Sequence, residues 1–191
     1  MDSNTTTIIL VAIVFLVVGG LLAMAVMRFQ RTRRLRERFG PEYDRLINEA
    51  GDKQKAESEL EARLAHVEAL KIRPLSAEEV NRFAREWQTT QSEFVDEPLA
   101  SIQKADRLLR EVMKAKGYPV EDFEQRAADI SVDYPELVTD YRGLHMIAVK
   151  EADDQVSTEE MRQAMVHGRA LFENLVSREA AEETIDQKEK I

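Results

Sequence analysis

The sequence predicts an all-α protein built as an N-terminal transmembrane helix, a helical stalk and a roughly five-helix bundle. Three observations carry this reading. Residues 8–27 run for twenty positions without a charge, and at about 1.5 Å per residue a helix of that length crosses the roughly 30 Å hydrocarbon core of a bilayer. Beyond residue 28, apolar residues recur at spacings of three and four, and no stretch alternates apolar with polar convincingly. Finally, the pairs Ser76/Glu79, Asp133/Glu136 and Ser157/Glu160 have the spacing of a capping box, in which each residue satisfies the other's backbone amide. Composition agrees. With no Cys, seven Gly and five Pro, the chain has no disulfide framework, thiol catalysis or thiolate metal site, and too few turn residues for a β-sandwich.

The charges around the apolar run set its expected orientation. Residues 1–7 form a short tail that carries Asp2 and no Lys or Arg. Behind the run, residues 28–38 carry Arg28, Arg31, Arg33, Arg34, Arg36 and Arg38 against Glu37 alone. Positive flanks stay in the cytoplasm. The expectation is a single-pass inner (plasma) membrane protein, N-terminus outside and C-terminal domain cytoplasmic. The run is long for a signal peptide and lacks a basic region before it. Ala23-Met24-Ala25 nonetheless fits a cleavage site, so secretion after cleavage stays as the alternative. Stop-transfer and orientation already account for the six arginines; contact with anionic lipid head groups is their candidate binding role.

Residues 39–75 read as the stalk. Phe39, Tyr43, Leu46 and Ala50 step by four, three and four, and Leu60, Leu64 and Val67 keep the register if it passes through the polar pair Lys53 and Glu57. Gly51-Asp52 interrupts the seam, so residues 41–71 form two helices or one imperfect one, with Pro41 in a first turn. The seam offers a weak parallel homodimer.

The bundle is expected over residues 76–178. Its first helix turns Val80, Phe83, Ala84, Trp87, Phe94 and Val95 to one face. Pro98 opens a second, with Leu99, Ile102, Ala105, Leu109 and Val112 inward and a stop at Gly117. Val120, Phe123, Ala127 and Ile130 mark a short third; Leu137, Val138, Tyr141, Leu144 and Ala148 a fourth; Met161, Ala164, Met165, Gly168, Leu171, Phe172 and Leu175 a fifth. Gly168 on the inner face implies close helix approach. Residues 179–191 form a charged tail expected to fray.

Chemistry-bearing motifs are scarce. His66, His145 and His167 form neither HxxxH nor HExxH. Tyr141 and His145 share a helix face beside Arg142, where a histidine can act as acid or base; a surface or boundary role is the simpler reading. Asp122/Arg126 has the spacing of a helix ion pair, and Asp129, Asp133 and Arg126 are a candidate polar cluster. No GxxxxGK[ST], GxGxxG or GxSxG occurs. A net charge of −9, with six arginines held in the juxtamembrane segment, disfavours nucleic acid as a partner of the body. No catalytic residue, cofactor or metal site is assigned.

The stretches RERFGPEYDRLINEAGD, RPLSAEE, FVDEP, ADRLLREVMKAKGYPVEDFEQRAADISVDYPELVTDYR and STEEMRQAMVHGRALFENL resemble a widespread family of uncharacterised bacterial proteins. The resemblance spans most of residues 36–176. It implies one N-terminal membrane segment and a helical domain, and brings no activity, cofactor or catalytic residue. Members are often labelled hypothetical or secreted; the second label fits an apolar N-terminus read as a signal. The function expected is a membrane-anchored protein-binding module, adaptor or scaffold. One alternative is an enzyme using Tyr141, Arg142, His145 and His167; another is a lipid-interacting envelope or stress-related structural protein working through the arginine cluster.

Overall fold

This computed structural model describes the backbone of residues 3–150 and 156–189 and the side chains of residues 15–150 and 156–176. Among the described residues the chain forms eight helices and no strand: α1 (Ser3–Phe39), α2 (Pro41–Ala50), α3 (Lys53–Ala69), α4 (Ala77–Glu93), α5 (Pro98–Lys116), α6 (Phe123–Asp133), α7 (Val138–Ala148) and α8 (Thr158–Glu189). The apolar run and the arginine segment are one helix. Its 37 residues make a rod about 55 Å long. By length and composition, Phe15–Phe39 is the one described helix apolar enough to cross a membrane, and its apolar side chains from Phe15 to Phe29 are exposed, Phe15 at 74 % and Leu16 at 77 %. Residues 8–14 of the expected span have side chains outside the described set.

Helix boundaries follow local chemistry. Gly40, at φ 49°, ends α1, and Pro41 starts α2 at once. Asp52 caps α3 by accepting from the amides of Gln54 and Lys55, which resolves residues 41–71 into two helices. Ser76 and Glu79 form the reciprocal box at α4, and Ser157 and Glu160 do the same at α8. The third expected box is absent. α6 continues through Asp133, and α7 starts after Leu137 without a side-chain cap. Asp133 instead accepts the Tyr118 hydroxyl at 2.6 Å, a stronger use of a carboxylate than an exposed amide. The Asp122/Arg126 pair is also corrected: Asp122 is the N-cap of α6, and Arg126 turns inward.

Two apolar cores result among the described residues. The larger draws on α4, α5, α6, α7 and α8, around Phe83, Ile102, Leu109, Met113, Ile130, Tyr141, Leu144, Leu171 and Leu175. Ala84 and Val95, expected on that face, are exposed. The smaller core joins Leu35 and Phe39 of α1 to Tyr43, Leu46, Ala56, Leu60, Val67 and Val132. Leu70 and Ile72 touch both cores.

The stalk is therefore a correction. Residues 39–75 fold back as a hairpin, and their seam is buried against α6 and the end of α1 rather than held out from the bundle. An apolar seam left in water costs more than an intramolecular partner. The same burial consumes the surface assigned to a homodimer, since Phe39, Tyr43, Leu46, Leu60 and Val67 all lie inside.

Two glycines are required sterically. At Gly117 φ is +101°, and a Cβ would sit 2.7 Å from the Lys71 carbonyl oxygen, where residue 73 also bonds back to Lys116. At Gly168 a Cβ would meet Leu144 Cδ1 at 2.5 Å and Trp87 Cη2 at 3.5 Å, the close approach expected of it. The backbone of α8 stays helical through Glu189; side chains beyond Val176 are outside the described set, and with them the charges of the expected tail.

Trp87 is 5 % exposed and stacks on Phe172 with centroids 4.6 Å apart. Trp87→Ala is expected to cost about 3–5 kcal/mol by chemical denaturation followed by circular dichroism, with the wild-type indole emitting at short wavelength.

Candidate functional site

The polar groups that organise this protein sit where α1 enters the domain. Thr32 on α1 and Tyr43 on α2 both donate to Glu57 Oε1 on α3, at 2.7 and 2.9 Å. Arg31 and Lys53 add charge at 3.9 and 3.7 Å. Burial raises the pKa of Glu57, but these two hydroxyls and two cations outweigh it and hold the carboxyl below its usual range. The same arrangement pushes the Tyr43 hydroxyl up to about 12, through burial first and the bonded carboxylate second. The polar seam position of the sequence is thus a buried acceptor joining three helices.

A second carboxylate ties this assembly to the bundle. Glu42 on α2 is 1 % exposed. Arg45 grips it with two bonds of 2.6 and 2.7 Å, Arg63 of α3 adds one at 3.0 Å, and Arg142 of α7 lies at 3.5 Å. Arg142 also reaches Glu124 of α6 at 2.7 Å. Burial raises the pKa of Glu42; the bonds from Arg45 and Arg63 and the charge of Arg142 reverse this and leave it lowered. A buried carboxylate with bidentate and further guanidinium contacts holds geometry well, whereas losing one partner of such a set is expensive.

The six candidate head-group arginines are partly spent on the protein. Arg31 pairs with Glu61 at 2.8 Å, Arg33 with Glu37 at 2.8 Å, Arg36 with Asp44 at 3.5 Å and Arg38 with Asp133 at 3.7 Å. Arg28 and Arg34 are exposed and have no ion pair among the described residues. Exposed pairs are worth little, so Arg33, Arg36 and Arg38 are only weakly held by these carboxylates.

The other candidates do not converge. Tyr141 accepts from Arg126, Arg142 belongs to the Glu42 cluster, His145 bonds Asp106 at 2.9 Å, and His167 lies 3.5 Å from Asp140. His66, expected in the stalk, faces Asp129 at 3.6 Å. Asp129 is fully buried; burial raises its pKa although Gln125 bonds it. The expected cluster of Arg126, Asp129 and Asp133 is split, since each bonds in a different direction. No group of three metal-ligating side chains occurs among the described residues. In comparisons with known proteins, no protein-family model, curated protein or solved structure matches the chain.

Glu42→Gln keeps the shape and removes the charge that three arginines share, and is expected to cost about 3–5 kcal/mol at neutral pH. Because the folded pKa of Glu42 is lowered, its contribution is complete above the ordinary carboxylate range and is lost as pH falls through the folded value. Denaturation of wild type and variant should therefore differ at pH 7 and converge on acidification.

Proposed function

We propose that this protein is a single-pass inner-membrane protein whose cytoplasmic helical domain binds another protein, as adaptor or scaffold. The observation that carries the reading is an unfilled apolar groove at one end of the bundle. Pro98 and Leu99 of α5, Val156 just before α8 and Met161 in its first turns line about 440 Å³, with Glu97 and Gln103 at its polar edge, and Val95, on the turn leading into Pro98, is 85 % exposed. Exposed apolar residues grouped in a concavity favour a protein partner's side chain. The arginines behind the apolar run support the orientation through the positive-inside bias, and the uninterrupted α1, with Leu35 and Phe39 in the core, favours a retained anchor over a cleaved signal. The resemblance to a bacterial family with one membrane segment and a helical domain is in keeping with this.

The test is site-specific photocrosslinking in native membranes. A photoreactive residue at Val95 should give one discrete protein adduct that is absent from the same probe at exposed Arg85, and Met161→Glu should abolish it. Equal labelling from both positions would remove the groove as the docking surface.

A further inference from the structure

Arg126 is a buried cation with no ion pair among the described residues; its guanidinium carbon lies 5.5 Å from the centre of the Phe123 ring. The residue is 3 % exposed. Its Nε donates to the Tyr141 hydroxyl at 3.0 Å and Nη1 to the Val120 carbonyl at 2.6 Å, which leaves Nη2 without a partner among the described residues. An uncompensated buried charge is costly, and proteins keep one where something neutralises it.

Arg126 lines a cavity of about 290 Å³ between α5, α6 and α7, together with Arg107, Arg110, Gln103 and His145. Asp106 is the single carboxylate of that lining, and it is already engaged by His145 Nδ1 at 2.9 Å and by Arg110 at 3.7 Å. The His145 ring lies flat on Phe123 with centroids 3.7 Å apart. That stack and the Asp106 contact fix the imidazole's orientation and leave Nε2 as its remaining polar atom.

We infer that this cavity binds a phosphate monoester or inorganic phosphate. Three guanidinium groups offer more donors than the two oxygens of Asp106 can use, and they suit a phosphate's three terminal oxygens; His145, whose Nδ1–H donates to Asp106, leaves Nε2 as an acceptor for the hydroxyl of a monoprotonated phosphate. The volume of about 290 Å³ is ample for a phosphate group and part of the molecule that carries it. Arg126 and His145 form the inner wall, while Arg107 and Arg110 guard the entrance. The cavity adjoins the apolar groove through Gln103, which lines both, but its ligand does not depend on the groove's protein-docking role.

The experiment titrates the full chain, reconstituted in nanodiscs of phosphatidylcholine, with inorganic phosphate and with glycerol 3-phosphate by isothermal calorimetry. One saturable site is expected, weakened at least tenfold in Arg107→Gln/Arg110→Gln, a variant of two solvent-facing side chains that should keep the wild-type circular dichroism. Repeating the titration in nanodiscs of equal charge made with phosphatidic acid or with phosphatidylglycerol separates the sources. Competition by phosphatidic acid alone identifies a lipid monoester head group as the ligand, and equal affinity in both identifies a soluble one; both outcomes support the site. No saturable binding, or binding the double variant leaves unchanged, overturns it.

Discussion

Two buried carboxylates decide how this protein is put together. Glu57 gathers hydroxyls from α1 and α2 onto α3, and Glu42 gathers arginines from α2, α3 and α7. Neither is replaceable by water, because Glu42 and Glu57 are 1 % and 7 % exposed. Once α2 and α3 are committed to these contacts, the end of α1 has one place to go: Leu35 and Phe39 drop into the small core, and the apolar helix leaves the domain in a set direction. Apolar packing alone is non-directional; the charged bonds give it a single register.

The consequence is an apolar N-terminal helix that is part of the domain. A flexible linker after a membrane helix would let the domain explore many orientations. Here α1 runs unbroken to Phe39 and residue 40 turns directly into α2, so the domain stands on a stiff post. α6 makes this possible by serving both cores. Ala127 and Ile130 face the bundle, and Val132 faces the hairpin. A fixed stance keeps the apolar groove and the arginine-lined cavity at constant positions relative to α1.

Much of the fold was legible in the sequence because it rests on local rules. The periodic stripes of α4, α5, α7 and α8, the boxes at Ser76 and Ser157, the Gly117 stop and the tight packing at Gly168 all follow from residues within a turn or two of each other. What escaped was the meaning of charges inside the apolar stripes, on α2 and α6 as well as α5. Glu42 lies three after Phe39 and four before Leu46; Asp106 four after Ile102 and three before Leu109; Arg126 three after Phe123 and four before Ile130. Each sits on its helix's apolar face, a position a charge occupies only when a partner awaits it. That signal was present, but the partners Arg63, Arg142, His145 and Tyr141 lie on other helices, and spacing along the chain does not reveal them. The same gap produced the stalk: the seam from Phe39 to Val67 was visible, but not that the chain's own α6 fills it.

The central claim is that the apolar helix α1 and the domain form one rigid body, and pulsed electron resonance addresses it directly. The chain has no cysteine, so spin labels at Arg28→Cys on α1 and Met146→Cys on α7, both exposed, report one distance in nanodiscs without background. The account predicts a single narrow distance distribution. A broad or multimodal distribution in the folded protein would show a hinge between α1 and the bundle and contradict it.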